Sequence, residues 1–294
     1  MISYFQAIIM GLLQGVTELF PVSSLGHSVI FPSLFGWHKL AAAQAAPESF
    51  FLAFLVALHV GTALALVGVF WKDWVRIVSA FLRSIAKRKI ETSDERLAWL
   101  LVIATIPAGI LGILLEHELR VVFAKPLAAS IFLVVNGGIL AAGERLRRRA
   151  EVRAVAVKHG LNPDDQSRRL DTMEFKEAGV IGVAQTGALF AGISRSGITM
   201  VAGLLRGLDH EDTARFSFLL ATPIILAAGL YKIPDLLGSL GNGVRGQALV
   251  GGLFAALAAF VSVKFLLKYF ETRTLTPFAI YCVVFGGAMV IRFA

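Results

Sequence analysis

The chain has 294 residues, of which 56% are hydrophobic and only 16% are charged, and its mean hydropathy is +0.74. This composition excludes an ordinary soluble domain, in which about a quarter of the residues are charged. The formal net charge of +8 would suit a nucleic-acid-binding protein. However, the basic residues cluster in a few segments between apolar runs, which indicates membrane topology and no nucleic-acid partner.

Apolar runs of about 20 residues, the length that crosses a bilayer, recur along the chain. They predict an all-α, polytopic membrane protein with about six transmembrane helices plus two re-entrant helix hairpins in an inverted repeat. The six predicted spans are Phe50–Phe70, Leu97–Leu115, Pro126–Gly143, Ala214–Ile233, Gln247–Leu267 and Pro277–Phe293. The first of them contains His59. Its side chain could either line a functional site or pack against other helices, and the sequence is equally consistent with both.

The first predicted element in chain order is the segment Met1–Phe35, which is apolar but contains a polar stretch from Gln14 to His27. Pro21 ends one half-helix, and the serines that follow it suit the N-cap of another. A broken helix at membrane depth is tolerated only where protein or a water-filled cavity satisfies the freed backbone groups. We therefore predict a re-entrant hairpin whose polar side chains serve function.

These polar side chains indicate phosphate or metal chemistry. Gln14 and Glu18 are four residues apart and share a helix face, where Glu18 is a candidate metal ligand or general base, or a structural carboxylate. Ser23 and Ser24 stand at a helix start, which offers free amides to an anion. His27 is a candidate nucleophile, general base or general acid, and a packed core histidine is the alternative.

Charge sets the predicted topology of the middle of the chain. The segment Trp71–Arg96 contains seven Lys and Arg residues, and Arg145–Lys176 contains nine. Two predicted spans separate the two segments, so both lie on one side, which the positive-inside rule assigns to the cytoplasm. The first hairpin then enters from the outside, and the second enters from the cytoplasm.

The second hairpin is predicted within Phe175–Leu208, around a polar stretch from Gln185 to Thr199. Arg195 is its most informative residue, because a permanently charged guanidinium at that depth should face an anion or Glu18. The neighbouring hydroxyl groups are candidate anion donors, although membrane-helix Thr residues often bond only to their own backbone. They belong to Ser194, Ser196 and Thr199.

The two polar stretches share a layout that predicts an inverted repeat within a single integral membrane domain, 1–294. Gln14 precedes Ser23 by the same interval as Gln185 precedes Ser194. The predicted halves are about 1–144 and 177–294, joined by a cytoplasmic connector over about 145–176. This basic connector is expected to be an orientation signal and solvated linker, with contact to anionic lipid as the alternative.

Both stretches resemble the motifs of a known family, the bacitracin-resistance type of undecaprenyl-diphosphatase. That family carries Glu/Gln-x-x-x-Glu running into Pro-Val-Ser-Ser-x-Gly-His, matched here by Gln14, Glu18 and the segment from Pro21 to His27. It also carries Pro-Gly-x-Ser-Arg-Ser-x-x-Thr, matched by the segment from Gly192 to Thr199. Similar flanking stretches extend the resemblance over nearly the whole chain, at Leu58–Thr62, Phe216–Ala221 and Thr276–Tyr281.

The resemblance implies an enzyme of the bacterial inner membrane that hydrolyses undecaprenyl diphosphate to undecaprenyl phosphate and inorganic phosphate, recycling the lipid carrier for peptidoglycan synthesis. It implies a divalent cation, Mg²⁺ or Ca²⁺, a membrane-lipid environment and a site that faces the outer side. Glu18 would bind the metal or activate water, Ser24 and His27 would act at the phosphate, and Arg195 would bind the diphosphate. Substrate binding would also involve Gln14, Ser23, Ser194, Ser196 and Thr199.

Two positions depart from the family pattern, and one rival function fits the fold. Gln14 stands where many members have Glu, which removes a second carboxylate, and Ala191 replaces the usual Pro of the second turn. A transporter or flippase for an anionic lipid or solute would use inverted repeats and broken helices equally well. Glu18, Ser24 and His27 together favour an enzyme, because binding alone needs no acid–base group. The oligomeric state is left open, with a homodimer as one arrangement.

Overall fold

The computed structural model describes residues 2–44, 50–123, 125–157 and 170–294. Within these ranges the chain forms α-helices and short 3-10 helices and no β-strand. The α-helices are α1 (Tyr4–Thr17), α2 (Ser24–Leu34), α3 (His38–Gln44), α4 (Phe50–Val69), α5 (Trp71–Lys87), α6 (Ser93–Phe123), α7 (Pro126–Val157), α8 (Phe175–Ala184), α9 (Arg195–Leu205), α10 (His210–Leu237), α11 (Arg245–Phe270) and α12 (Thr276–Phe293). The 3-10 helices are Leu170–Thr172, Gln185–Leu189 and Ser239–Gly241.

The spanning helices confirm the membrane fold predicted from composition. Among the described residues, 5 helices contain a stretch long and apolar enough to cross a membrane, namely α6, α7, α10, α11 and α12. A sixth span is obtained when α4 and α5, which are bent by 86° at their junction, are counted as one. The chain is therefore an all-α polytopic membrane protein with five or six spans, where six were predicted.

Both polar stretches form the predicted helix–break–helix hairpins. In the first hairpin, residues 18–23 separate α1 from α2. In the second, α8 continues into a 3-10 helix, and a short turn follows before α9 begins at Arg195. The hydroxyl of Ser23 caps α2 and that of Ser194 caps α9, and each accepts a hydrogen bond from the N–H three residues later.

Each hairpin packs against a spanning helix from the other half of the chain, since α1 contacts α11 and α8 contacts α6. Small residues allow this close approach. A Cβ atom on Gly182 of α8 would lie 2.9 Å from the Cα atom of Ala104 in α6. The two breaks also touch each other, because a Cβ atom on Gly26 would lie 2.8 Å from the Cα atom of Gly192.

Two segments that were predicted to be loops because of their many charges are partly helical. The predicted cytoplasmic loop Trp71–Arg96 contains α5, in which basic and apolar residues recur at helical spacing. The predicted connector over 145–176 starts inside α7, which continues to Val157. Residues 158–169 of that connector lie outside the described residues. The proposed division into two halves stays a prediction.

Candidate active site

A cavity of about 480 Å³ lies between the two hairpins and helices α4, α6 and α10. Its polar lining comes from both breaks and from α4, and includes Glu18, Ser23, Ser24, His59, Gln185, Ser194 and Arg195. Much of the remaining wall is apolar, with Val56, Ala108, Leu189, Ile224, Ile225 and Ala228 among its residues. An apolar cavity with a few convergent polar groups is typical of a ligand site.

Glu18 lies at the centre of the polar end of the cavity, where four side chains contact its buried carboxylate. Its Oε2 atom accepts hydrogen bonds from Ser24 Oγ at 2.5 Å and from Gln14 Nε2 at 3.1 Å. The same oxygen lies 3.4 Å from Nε2 of His59. Its Oε1 atom accepts a hydrogen bond from Nη2 of Arg195 at 2.9 Å. These partners offset the cost of burying a carboxylate, and they show that Gln14 and Glu18 share a helix face as predicted.

Arg195 offers one further donor to a ligand. Its side chain is 14% exposed, and Nη2 is paired with Glu18. Nη1 is buried and has no hydrogen-bond partner within the described residues. Leaving such a donor unsatisfied costs about 1–3 kcal/mol, and a phosphate oxygen at this point would remove the cost. The sequence prediction that Arg195 faces an anion or Glu18 therefore fits its position.

Ser23 holds the two hairpins together. Its Oγ atom accepts the N–H of Gly26 in α2 and the N–H of Gly192 in the other hairpin, both at 3.2 Å. Its backbone has a φ of 69°, which is a strained conformation for a residue with a side chain. The hydroxyl oxygen of Ser23 is thus committed to positioning the site, although the residue also lines the cavity.

The turn of the second hairpin closes without the proline of the family pattern. The N–H of Ile193 donates to the carbonyl oxygen of Phe190 at 3.0 Å. Gly192 supplies a φ of +111°, which L-residues rarely adopt. Ala191, which replaces the proline, is buried. The turn beside Ala191 is therefore closed by backbone hydrogen bonding and by the glycine that follows it.

The hydroxyl candidates of the second hairpin divide into two groups. Ser194 lines the cavity beside Arg195, but Ser196 and Thr199 do not. Ser196 Oγ lies 3.0 Å from Ser194 Oγ, and Thr199 Oγ1 lies 2.7 Å from Ser217 Oγ on α10. Both side chains are buried among protein groups, and the predicted substrate-binding role of Ser196 and Thr199 stays a prediction.

His27 also lies off the cavity wall, and its predicted role at the phosphate stays a prediction. Its side chain is fully buried, with Nδ1 2.7 Å from the carbonyl oxygen of Ser23 and Nε2 2.8 Å from the hydroxyl of Tyr281. Its ring stacks on those of Tyr281 and Phe285. Both ring nitrogens thus have partners, and the contact with Tyr281 joins α2 to α12.

Two residues contribute more to the site than the sequence alone indicated. His59 lies on the cavity wall against Glu18, the position expected of an acid–base group. Asn136 of α7 joins the two breaks, because its Nδ2 donates to the carbonyl oxygen of Pro21 and its Oδ1 accepts the N–H of Ser194, both at 2.9 Å. The sequence carried the same indication for His59 and for Asn136. Each is a polar side chain in the middle of an apolar span, and such a side chain requires a polar partner.

The oxygen atoms near Glu18 would suit a cation that is also coordinated by oxygens of a phosphate. Within the described residues, no three His, Cys, Asp or Glu side chains form a group that could hold a metal ion. Glu18 is the carboxylate on the cavity wall. Gln14 is fully buried behind it and does not line the cavity, but its side chain is bonded to Glu18 and its Oε1 has no hydrogen-bond partner in the described part of the chain. Mg²⁺ is commonly bound by one or two carboxylates plus substrate phosphates, whereas Ca²⁺ takes six to eight oxygen ligands. The residues present therefore fit Mg²⁺ better than Ca²⁺.

The chain matches one family over nearly its whole length. The model of the family described as bacitracin resistance protein BacA matches residues 7–288. Undecaprenyl-diphosphatase 2 of Frankia alni is 53% identical over 338 residues, which cover 100% of this chain and 98% of the relative. Undecaprenyl-diphosphatase of Mycolicibacterium paratuberculosis is 53% identical over 300 residues, with the same coverage. Undecaprenyl-diphosphatase of Granulibacter bethesdensis is 45% identical and covers 97% of this chain and 95% of its own.

Proposed function

The chain belongs to the bacitracin resistance protein BacA family, and we propose on this basis that it is an undecaprenyl-diphosphatase. The reaction hydrolyses undecaprenyl diphosphate to undecaprenyl phosphate and inorganic phosphate. Its product is the lipid carrier used again in peptidoglycan synthesis. The multi-pass membrane fold suits this reaction, because the long prenyl chain of the substrate stays in the bilayer while its head group reacts.

One observation carries the proposal, namely the cluster of Ser24, Glu18 and Arg195 at the polar end of the cavity. It places a hydroxyl, a carboxylate and a guanidinium in direct contact. A hydroxyl hydrogen-bonded to a base is the arrangement of an activated nucleophile, and a guanidinium suits bidentate phosphate binding. A site that only bound an anion would have no need of the carboxylate.

In the proposed reaction the terminal phosphate binds at Arg195, whose unpartnered Nη1 donates to a phosphate oxygen. Ser24 Oγ attacks the terminal phosphorus, and its proton passes to Oε2 of Glu18. The bond from phosphorus to the bridging oxygen breaks, and undecaprenyl phosphate leaves. The proton on Glu18 passes to the departing undecaprenyl phosphate, which restores the carboxylate. Water then attacks the phosphorus of the phosphoserine and gives a proton to Glu18, the bond from phosphorus to Ser24 Oγ breaks, Glu18 returns the proton to Oγ, and inorganic phosphate is released.

A divalent cation, Mg²⁺ by its ligand preferences, is part of the proposal. Glu18 and the unpartnered amide oxygen of Gln14 would hold it together with oxygens of the diphosphate. When bound, it would offset negative charge on the phosphoryl group during transfer. Gln14 can serve in this way without being a carboxylate, because its neutral oxygen remains a ligand.

The membrane placement of the site is a further part of the proposal. The charge pattern puts the entry of the first hairpin on the outer side of the bacterial inner membrane. Glu18 and Ser24 belong to that hairpin. The apolar wall formed by α6 and α10 would receive the first isoprene units of the tail. We therefore propose that the head group reaches the site from the outer leaflet.

The decisive experiment measures phosphate release from undecaprenyl diphosphate by the purified protein in detergent with Mg²⁺. Glu18→Gln should lower the rate by roughly 10²–10⁴-fold, because an amide cannot accept the proton. The matched control is Glu211→Gln, which changes an exposed carboxylate at the start of α10 and should leave the rate within about twofold. Thermal unfolding of each variant checks that it is folded.

Two outcomes would overturn the proposal. Full activity of folded Glu18→Gln would remove the assigned site. Uptake of a labelled anionic lipid into liposomes, without any phosphate release by the wild-type protein, would favour a transporter.

A further inference from the structure

Helix α5 has three distinct faces. One face packs against the protein through Ile77, Ala80 and Ser84, which are buried. A second, apolar face points away from the protein, and its side chains are 49–60% exposed: Trp71, Val75, Val78, Leu82 and Ile85. At 3.6 residues per turn these five positions fall within a sector of roughly 80°. A narrow apolar stripe on the outside of a helix requires an apolar environment or a partner.

A basic flank lies directly beside the apolar face. Lys72, Arg76, Arg83 and Lys87 are exposed and follow each other at helical spacing. The segment 71–89 contains six Lys and Arg residues but a single acidic one, Asp73. Asp73 turns towards the protein, where Arg215 of α10 donates to it at 2.8 Å. The flank therefore carries a net positive charge on its outer side.

Part of this charge is not neutralised by neighbouring side chains. Arg76 is paired with Asp73 at 2.7 Å, and Lys87 with Glu91 at 3.2 Å. Lys72 and Arg83 form no salt bridge within the residues that the structure describes, although Arg83 interacts at longer range with the carboxylate of Glu95. Both cations lie at the border between the apolar face and water without a directly bonded acidic partner.

Helix α5 lies nearly perpendicular to the helix before it. It is bent by 86° from α4 at their junction. If α4 crosses the bilayer, α5 runs along the surface, on the side that the basic segments mark as cytoplasmic. A helix with one apolar face and a Lys- and Arg-rich border is suited to the interface between head groups and acyl chains.

We propose that α5 is an interfacial helix that binds anionic phospholipid of the cytoplasmic leaflet. Its apolar face lies in the acyl-chain boundary, and Lys72 and Arg83 contact the head-group phosphates. Charge complementarity supports anionic phospholipid as the ligand, because the cytoplasmic leaflet is anionic and the border of the apolar face of α5 is cationic. The proposal concerns a surface outside the cavity, so it does not depend on the hydrolytic activity.

The first test compares two neighbouring positions on α5. Leu82→Cys and Arg83→Cys are each spin-labelled in the full-length protein, which is reconstituted in nanodiscs of phosphatidylcholine and phosphatidylglycerol. The natural Cys282 is buried, and the unmodified protein measures its background labelling. The label at 82 should be accessible to oxygen, and the label at 83 to a water-soluble nickel reagent. Equal water access at both positions would exclude insertion, and shielding of position 82 from both reagents would indicate a protein partner instead.

The second test measures lipid selectivity. The protein is extracted from vesicles with equal parts of phosphatidylglycerol and phosphatidylcholine, and the retained lipids are counted by native mass spectrometry. Lys72→Gln/Arg83→Gln should lower the preference for phosphatidylglycerol by about fivefold for each charge removed. The control Arg206→Gln/Arg273→Gln removes two exposed charges outside α5 and outside the basic connector, and it should change the preference less. Equal losses in the two double variants, or none in either, would overturn the proposal.

Discussion

Ser24 and Ser28 stand one helical turn apart on α2, yet only Ser24 reaches Glu18. Ser28 Oγ is buried and has no hydrogen-bond partner within the described residues. Replacing Ser24 by Ala removes the proposed nucleophile and should lower phosphate release by at least about 10²-fold. Ser28→Ala removes a hydroxyl that makes no contact of this kind and should leave the rate within about twofold. Steady-state phosphate release by the two variants makes the comparison.

A second readout separates a nucleophilic Ser24 from a merely structural one. Rapid acid quenching with substrate labelled in its terminal phosphate should trap label on the wild-type protein and none on Ser24→Ala. If the wild-type protein carries no label and Ser24→Ala keeps its rate, the nucleophile is a water beside Glu18 and the serine step must be abandoned.

Of the two histidines near the first hairpin, His59 should affect mainly the reaction rate and His27 mainly the stability of the protein. His59→Gln removes the imidazole that lies 3.4 Å from Glu18 and should lower the rate by about 10²-fold with the unfolding temperature kept. Tyr281→Phe removes the hydroxyl partner of His27 and should cost about 1 kcal/mol of stability with a smaller effect on rate. Phosphate release and thermal unfolding are measured on both. Normal activity of His59→Gln with an inactive Tyr281→Phe would return the catalytic role to His27.

At the scale of the elements, the second break depends on one glycine. Gly192 has a φ of +111°, and a Cβ atom there would lie 2.7 Å from Cβ of Phe132. Gly192→Ala should therefore destabilise the protein by about 2–4 kcal/mol through backbone strain and overpacking. Activity should fall with stability, because the N–H of Gly192 also binds Ser23 Oγ.

The matched control is Gly138→Ala in α7, where nothing lies within 4 Å of an added Cβ atom. This change should be neutral or stabilise the helix by up to about 1 kcal/mol. The unfolding temperatures of the two variants in detergent test the comparison. Equal unfolding temperatures would mean that the turn does not need a glycine.

The sequence was sufficient to predict both hairpins, because Pro21 and the paired serines interrupt apolar segments in a recognisable way. It was not sufficient to decide which histidine reaches the cavity. His27 belongs to the motif, but its side chain contacts Tyr281 of α12, which lies 254 residues away in the sequence. The position of His59 against Glu18 likewise depends on how α4 packs beside α1. Helix α5 was missed because counting charges in a segment ignores their angular distribution around a helix.

At the scale of the whole molecule, each hairpin packs against a helix far away in the sequence, and the polar end of the cavity needs residues of both hairpins. Glu18 and Ser24 come from one hairpin and Arg195 from the other, and Asn136 connects the two breaks. Composition predicted the membrane class, because long apolar segments are stable only in hydrocarbon, and the five or six spans of the structure compare with six predicted. The cross-packing could not be predicted in this way, because it rests on contacts between small residues far apart in sequence. The homodimer stays a prediction.

The direction in which the whole molecule crosses the membrane can be tested by cysteine labelling. Lys39 in α3 and Arg149 in α7 are both exposed and are predicted to lie on opposite sides. In right-side-out membrane vesicles an impermeant maleimide should label Lys39→Cys and spare Arg149→Cys, and inside-out vesicles should give the reverse. The buried Cys282 provides a low background. The reverse pattern would place the entry of the first hairpin on the cytoplasmic side, and the proposed access of the head group from the outer leaflet would then be wrong even if hydrolysis itself were confirmed.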